Sequence, residues 1–228
     1  SSSEGAGCRK IVKVDENNFY ILGITSHGGG DVTYNPYENT VNIWVIKIDS
    51  SGNKLWDKVI GGTGGDYPQD IAVSTDGGVV VSATFGSYYG GPYVGDASKY
   101  YGFWDMWVVK LNKDDGHIEW DYTLGSSEYE FCHTSVATSD GGCIAGGVVA
   151  SASDGNVACI DESGQFIGQG VVLKLNAQGE QEWQKCYGSS DEDAVFYILE
   201  TADGYVVVGT SRGEDQDLEG AGYHLGYD

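Results

Sequence analysis

Lys110-Leu111-Asn112-Lys113-Asp114-Asp115-Gly116-His117-Ile118-Glu119-Trp120 is one of three copies of the same pattern in this chain of 228 residues. The other copies occupy residues 47–56 and 174–183, and each copy ends in tryptophan. The three tryptophans, Trp56, Trp120 and Trp183, are therefore 64 and 63 residues apart. A fixed period in this range predicts a repeat architecture, so the fold is determined by what one unit can form.

A second pattern, centred on Asp-Gly, alternates with the first. Its copies are Ser74-Thr75-Asp76-Gly77-Gly78, residues 138–142 and residues 201–205, with a weaker fourth copy at residues 15–18. Runs of β-branched residues such as Val79-Val80-Val81 flank these turns. Such runs favour strands, and Asp-Gly between them is a strong signal for a β-hairpin.

One repeat unit of about 62 residues thus contains two hairpins, or four strands, and the chain shows no amphipathic helical stretch of useful length. Repeated four-stranded units predict an all-β fold, specifically the blades of a β-propeller. We expect one domain over residues 1–228, with about three and a half repeats. The blades are predicted at about residues 1–62, 63–126 and 127–189, with a half blade at 190–228.

Propellers close with roughly four to eight blades, so we expect this chain to be part of a longer propeller. The alternative is that a partner supplies the missing hairpin by strand addition, through self-association at the open blade edge. The tryptophan falls on the outermost strand, where we expect it to cover the gap between neighbouring blades. Lys47, Lys110 and Lys174 are expected to be edge or inter-blade charges rather than catalytic bases.

Three phrases together resemble a known group of proteins. They are Asp-Gly-Gly followed by an apolar run, Trp-Val-Val-Lys-Leu at residues 107–111 with its later glycine and tryptophan, and Gly-Ser-Ser-acid at residues 125–128 and 188–191. Along essentially its whole length, the chain is similar to the secreted β-propeller repeat proteins of Bacteroidetes and related microbes. The resemblance implies export, a propeller fold and a role at or outside the cell surface. It implies no catalytic mechanism, because that group has no shared active-site motif.

The charge balance restricts the partners. Only 12 lysines and arginines oppose 34 acidic residues, giving a net charge of −22. This argues against binding nucleic acid or anionic membranes. No apolar run approaches the roughly 20 residues of a membrane helix, so no membrane insertion is expected. Of the five cysteines, Cys132, Cys143 and Cys186 are predicted to be buried thiols on strands, and Cys159 is a candidate for a disulfide.

Acidic residues concentrate in the loops of one face, which suggests a bound cation. Asp66, Glu130 and Asp193 occupy equivalent positions in the blade-to-blade loops, and Asp215, Asp217 and Glu219 alternate beside a glycine. Calcium takes six to eight oxygen ligands from flexible acidic loops, so these six residues are candidate Ca²⁺ ligands. None of the loops matches a full EF-hand. The alternative is that the acids only keep the protein soluble.

The loops between strands two and three are unusually long and rich in aromatics. The richest runs from residue 87 to 104, and its candidate ligand-binding residues are Tyr88, Tyr89, Tyr93, Tyr101 and Trp104. Exposed rings beside carboxylates suit a glycan, since rings stack on the face of a sugar and acids accept its hydroxyls; they also suit a protein surface. The alternative is that the rings fold back over their own loop.

These observations favour a non-catalytic extracellular or cell-surface binding and scaffolding propeller, with a glycan or surface protein as ligand and calcium as the candidate ion. Two alternatives remain open at this point. One is a carbohydrate-active enzyme, a glycosidase or lyase, that uses paired carboxylates at the rim. The other is a subunit of an extracellular assembly completed by strand addition.

Overall fold

The computed structural model describes residues 6–87, 91–150, 154–159 and 168–213. All regular secondary structure in these residues is β, which confirms the all-β prediction. The fourteen strands are β1 (Gly7–Lys13), β2 (Asn18–Thr25), β3 (Asn42–Asp49), β4 (Lys54–Ile60), β5 (Gly65–Val73), β6 (Val79–Gly86), β7 (Trp104–Leu111), β8 (Ile118–Leu124), β9 (Glu130–Ala137), β10 (Cys143–Ala150), β11 (Gly168–Leu175), β12 (Gln181–Tyr187), β13 (Asp193–Thr201) and β14 (Gly204–Ser211).

The strands form three four-stranded antiparallel sheets and one two-stranded sheet. The first sheet contains β1 to β4, the second β5 to β8 and the third β9 to β12, each with its strands side by side in chain order. We call the last sheet, β13 and β14, the terminal hairpin. Each full sheet is therefore two hairpins in succession, as the alternation of the two sequence patterns requires.

The turn between the third and fourth strands of each sheet is closed by an Asp or Asn side chain. Asp49 Oδ1 accepts hydrogen bonds from the backbone N–H groups of Ser51 (2.8 Å) and Asn53 (2.9 Å). Asn176 makes the same pair of bonds in the third sheet. The turn then needs a residue at positive φ, which is Gly52, Gly116 or Gly179. The Asx-type turn therefore begins at the residue types expected of it.

The sheets pack face to face in chain order, and their contacts form the core. One apolar cluster joins the first and second sheets through side chains such as Tyr20, Val45 and Trp107. A second cluster joins the second and third sheets through Val108 and Leu173, among others. These side chains are almost completely removed from water, which is the main favourable term in holding one sheet against the next.

The first strands of successive sheets also contact one another. Lys10 Nζ on β1 lies 2.5 Å from Asp70 Oδ1 on β5. The other oxygen of the same carboxylate accepts a hydrogen bond from the backbone N–H of Ser135 on β9 (3.2 Å). His133 on β9 lies 3.0 Å, through Nδ1, from the carbonyl oxygen of Val195 on β13. Equivalent strands are thus neighbours at the same edge of the stack.

The repeated tryptophan joins each sheet to the next. Trp56 Nε1 donates to the carbonyl of Lys113 in the second sheet (3.0 Å), and Trp120 Nε1 donates to that of Ala177 in the third (3.1 Å). Each indole ring lies directly against the turn glycine of the next sheet: a Cβ added to Gly179 would come within 2.5 Å of the Trp120 ring. This is the packing role predicted for the tryptophan.

The repeated lysines only partly follow their prediction. Lys47 does reach the next sheet, where Nζ donates to the carbonyl of Lys113 (2.7 Å). Lys110 and Lys174 instead stay within their own sheets and are buried. Lys174 Nζ lies 2.8 Å from Asp140 Oδ2 and 3.0 Å from Glu182 Oε2. The expectation of an edge or inter-blade charge was wrong for these two, because a buried ammonium needs the two carboxylates of its own sheet.

The terminal hairpin differs from the other sheets by a register shift of one residue. Ile71 pairs with Val81 in the second sheet, but its equivalent, Ile198, pairs with Val207. A one-residue shift turns every side chain of the strand to the opposite face. Val206 and Val208 are consequently 50% and 53% exposed. Among the described residues, no third strand pairs with β14 to hold the other register.

Two of the three predicted buried thiols are confirmed, and one prediction was wrong. Cys132 and Cys143 are fully buried free thiols. Cys186 on β12 is bonded to Cys159 in a disulfide across 27 residues of sequence. This disulfide ties the loop that precedes β11 to the outer strand of the third sheet, and it agrees with the candidacy of Cys159.

The contact between the indole ring and glycine predicts a difference between two otherwise similar substitutions. Gly179 has φ of 79° and lies under the Trp120 ring, whereas Gly52 has φ of 82° and no atom within 4 Å of its Cβ position. Gly52→Ala is expected to cost only the strain of left-handed backbone, about 1–2 kcal/mol of unfolding free energy. Gly179→Ala is expected to cost about 1–3 kcal/mol more through overpacking, as measured by urea denaturation. Equal losses in the two variants would contradict the role assigned to the tryptophan.

Candidate functional site

The loops that connect successive sheets share one hydrogen-bonding arrangement. We call residues 61–66, 125–130 and 188–193 joints 1, 2 and 3. Each joint ends in an acid whose side chain is almost fully buried, namely Asp66, Glu130 or Asp193. Each acid accepts a hydrogen bond from the backbone N–H four residues earlier: Gly62 (2.8 Å), Ser126 (2.8 Å) and Ser189 (2.6 Å). The acid therefore closes the loop on itself.

These three acids are also predicted calcium ligands, and the structure does not bring them together. Each lies in its own joint with its oxygens engaged by the loop it closes. The other three candidates, Asp215, Asp217 and Glu219, lie outside the described residues. Within the described part of the chain, no three His, Cys, Asp or Glu side chains are placed to hold a metal ion together. Calcium binding stays a prediction.

A second buried polar side chain accompanies the acid in every joint. It comes from the start of the third strand of the preceding sheet: Asn42, Asp105 or Gln169. The glycine that begins each joint has no side chain, which leaves space for this pair; a Cβ on Gly125 would lie 2.2 Å from Asp105 Oδ1. A polar pair is thus enclosed between the sheets at each joint.

Burial changes the acidity of these groups. It raises the pKa of Asp66 and that of Asp105 to about 7, and the pKa of Glu130 to about 8. The cause is loss of water around the charged form, which hydrogen bonds from Tyr93 to Asp66 and from Ser126 to Glu130 offset only in part. The Tyr93 hydroxyl donates to Asp66 Oδ1 at 2.7 Å.

The predicted aromatic loop is partly folded into the protein. Tyr88 and Tyr89 lie outside the described residues. The Tyr93 ring packs edge-on against buried Phe85, with ring centroids 4.9 Å apart, and Trp104 is 7% exposed. Tyr101 is half-buried and its backbone N–H donates to Asp105 Oδ2 (2.7 Å). These rings were expected to be exposed, with folding back over the loop as the alternative; Tyr93 and Trp104 pack inward because apolar rings gain free energy from burial.

A row of more exposed rings lies beside that loop. Phe103 stacks on Tyr129 with centroids 5.1 Å apart and ring planes 16° apart, and Tyr129 stacks on Phe131 at 6.3 Å and 17°. We call these three residues the aromatic row. Tyr129 and Phe131 are each 40% exposed. The row belongs to joint 2 and its surroundings, and the exposed parts of its rings give that joint an apolar surface.

Phe103 lies within the predicted aromatic loop at residues 87–104, but sequence reasoning missed Tyr129 and Phe131. They lie on either side of Glu130, the acid that closes joint 2. One signal was available: Tyr67 and Phe131 each follow the repeated acid directly, so an aromatic at this position recurs. The stacking itself required knowledge of how the loop before β7 approaches joint 2.

The long loops are held to the outer strands by equivalent contacts. Backbone N–H groups of Thr33 and Ser98 donate to Asp57 (2.9 Å) and Asp121 (2.8 Å) on the fourth strands of their sheets. Trp44 and Trp107 donate to the same two aspartates through Nε1, each at 3.0 Å. The loops therefore fold back along their own sheets. Asp57 and Asp121 on the fourth strands serve as acceptors for the loop backbone.

An open cavity of about 400 Å³ lies between the third sheet and the terminal hairpin. Its walls include Gly170 and Tyr187 from the third sheet and Asp193, Tyr205 and Val207 from the terminal hairpin.

Comparisons add no relatives to this description. No protein-family model matches the chain, and no curated protein matches it. No helix in residues 6–87, 91–150, 154–159 or 168–213 is long and apolar enough to cross a membrane.

Proposed function

We propose that this chain forms blades of a β-propeller and acts outside the cell as a non-catalytic binding and scaffolding module, with a glycan as the ligand of the aromatic row. The propeller is supported by the face-to-face order of the sheets, by the contacts between their first strands and by the indole that covers the next sheet's glycine turn. Radial repetition of four-stranded sheets is the architecture that uses such contacts.

Export is supported by the disulfide and by the charge. Disulfides such as Cys159–Cys186 persist in oxidising compartments and are rare in the cytosol. The net charge of −22 keeps a protein soluble and disfavours anionic partners. The resemblance of the repeats to secreted propeller proteins points in the same direction.

The aromatic row carries the proposal for a glycan. Tyr129 and Phe131, each 40% exposed, offer apolar ring surface against which the C–H groups of a sugar can pack. The half-buried acid Glu128 lies next to Tyr129 in the same joint and can accept hydrogen bonds from sugar hydroxyls. We do not assign catalysis to the nearby Asp105 and Glu130, because both carboxyl groups are fully buried beneath the joint.

Removing single rings tests the glycan proposal. In a polysaccharide binding panel, Tyr129→Ala and Phe131→Ala are each expected to weaken binding by about 1–2 kcal/mol, or roughly five- to thirtyfold. Tyr34→Ala is the matched control, because Tyr34 is 72% exposed in a long loop of the first sheet. Binding that survives both changes in the row would contradict the proposed site. Polysaccharide turnover that is abolished by an Asp or Glu substitution would instead support the enzyme alternative.

Calcium is proposed as a stabilising ion of the acidic loops, with the segment at residues 214–220 as its place. A cation among alternating carboxylates relieves their mutual repulsion. We expect millimolar calcium to raise the Tm of the chelator-treated protein by several degrees, and Asp217→Asn to reduce the rise. The control is magnesium, which demands stricter octahedral geometry. An unchanged Tm in calcium would leave the acids as solubilising charge.

Assembly by strand addition is a second candidate function, favoured by the exposed strand β14. Val206 and Val208 are half-exposed, although their equivalents in the second and third sheets are fully buried. The turn acid Asp203 is exposed and has no cationic partner among the described residues, whereas Asp140 holds Lys174. The occupant that fits is a hairpin of the repeat's own second type from another polypeptide, which brings an apolar strand with a lysine for Asp203.

A peptide tests this candidate. A synthetic peptide with the sequence of residues 168–187, carrying Cys186→Ser, is expected to bind and to protect the amides of β14 from hydrogen exchange. The same peptide with Lys174→Glu is the control, and we expect it to bind at least tenfold more weakly because it places a second acid beside Asp203. Equal binding of both peptides, or protection that does not include β14, would contradict the proposal.

A further inference from the structure

Two buried oxygen atoms at equivalent positions accept no hydrogen bond from any donor among the described residues. They are Oδ1 of Asn42 in joint 1 and Oδ1 of Asp105 in joint 2. Both side chains are 0% exposed, so bulk solvent does not reach them. A buried acceptor without a donor costs free energy, and its recurrence at the same position in two joints calls for a common cause.

In both joints the oxygen faces the acid that closes the loop. A Cβ on Gly61 would lie 2.5 Å from both Asn42 Oδ1 and Asp66 Oδ2, so both oxygens border the same small space above the glycine. The carboxyl groups of Asp105 and Glu130 lie within hydrogen-bonding distance of each other. Two oxygens in such contact repel one another unless a hydrogen atom lies between them.

We infer that joints 1 and 2 are each closed by a protonated carboxyl group, with Asp66 donating to Asn42 Oδ1 and Glu130 donating to Asp105 Oδ1. A neutral carboxyl group provides one O–H donor and keeps acceptor capacity for the backbone N–H groups of Gly62 and Ser126. The proton comes from solvent. It satisfies the unpartnered oxygen and removes a buried negative charge at the same time.

The surrounding groups favour the proton. Tyr93, Tyr37 and the Asp96 carboxylate face Asp66, and Tyr100 faces Asp105. No lysine, arginine or histidine of the described residues forms an ion pair with Asp66, Asp105 or Glu130. The raised pKa values of these acids agree with this environment, since it holds negative charges and phenols but no cation.

Joint 3 provides an internal contrast. Its third-strand position is Gln169, whose Nε2 donates to the carbonyl oxygen of Ser189 (3.0 Å). The closing acid Asp193 accepts from the N–H and the hydroxyl of Ser189. No unpartnered oxygen is left among the buried side chains of residues 188–193 or on Gln169, all of which the structure describes, so this joint requires no proton. The Gln169 side chain bonds the loop backbone, so joint 3 leaves no oxygen of the kind that Asn42 and Asp105 present in the other two joints.

The protons make the stack of sheets sensitive to pH. In the unfolded chain an aspartic or glutamic acid titrates near pH 4, whereas Asp66 and Glu130 hold their protons to about pH 7 and 8 when folded. The folded state therefore binds more protons between these limits, and stability falls as pH rises from about 5 to 8. Above pH 8 the stabilisation that the two protons provide is lost. Ordinary carboxyl groups are already ionised at pH 6, but histidine side chains still titrate between pH 6 and 9, so the contribution of a joint is given by the difference between a variant and its matched control.

The experiment compares Glu130→Gln with Glu128→Gln by thermal unfolding between pH 6 and 9. Both changes replace one carboxyl group of joint 2 by an amide, but only the amide introduced at position 130 can donate an N–H to Asp105 Oδ1 without a proton. We expect the Tm of the wild type and of E128Q to fall by several degrees across this window, and that of E130Q to fall clearly less. Identical pH profiles for E130Q and E128Q would overturn the inference.

An infrared measurement on the wild type decides the question if E130Q does not fold. The C=O stretch of a protonated carboxyl group is separate from that of a carboxylate. We expect a protonated carboxyl band at pH 6.5, where ordinary acids are ionised, and its disappearance by pH 9. Absence of the band at pH 6.5 in the folded protein would overturn the inference independently of any variant.

Discussion

The indole ring that covers the glycine turn of the next sheet is the contact on which the arrangement of this protein depends. A four-stranded sheet buries one face on each neighbour, so it is stable only within a stack. Trp56 and Trp120 fix the distance and rotation between sheets at their outer edges, and the pairs Lys10–Asp70 and His133–Val195 do so at the inner edges. Apolar clusters fill the space between these two sets of contacts.

The acids of this chain divide into two groups with opposite physical behaviour. Most lie in water, where they give the protein its large negative charge. Asp66, Asp105 and Glu130 lie between sheets instead, where a carboxylate loses its hydration and is surrounded by few donors. Burial therefore favours the protonated, neutral form of these carboxyl groups, and that form also donates a hydrogen bond within the joint. Acidic residues thus keep the protein soluble where they are exposed, and they hold neighbouring sheets together where they are buried in the joints.

The terminal hairpin shows how a second strand pairs when the described residues place no third strand beside it. Pairing with a third strand on one side selects the register of the second strand, because the interstrand hydrogen bonds and the buried side chains must agree. With only β13 as a partner among the described strands, β14 pairs one residue closer to its turn and turns Val206 and Val208 outward. The exposed valines result from this change in register, and the open cavity lined by Tyr205 and Val207 lies on the other face of β14, towards the third sheet.

The period of the repeats, the Asp-Gly turns and the β-branched runs were enough to predict the all-β fold, the two hairpins of each unit and the packing of the tryptophan, because these follow from local chain geometry and a fixed spacing. The candidate site was less accessible from sequence. The repeated acids predicted exposed calcium ligands at Asp66 and Glu130, but both side chains are buried within the joints. Tyr93 and Trp104 were expected in solvent but joined the core, while Tyr129 and Phe131 formed the exposed row. The neighbouring sheet decides which side of a loop faces water. The position of that sheet relative to the loop cannot be derived from the local sequence of the loop.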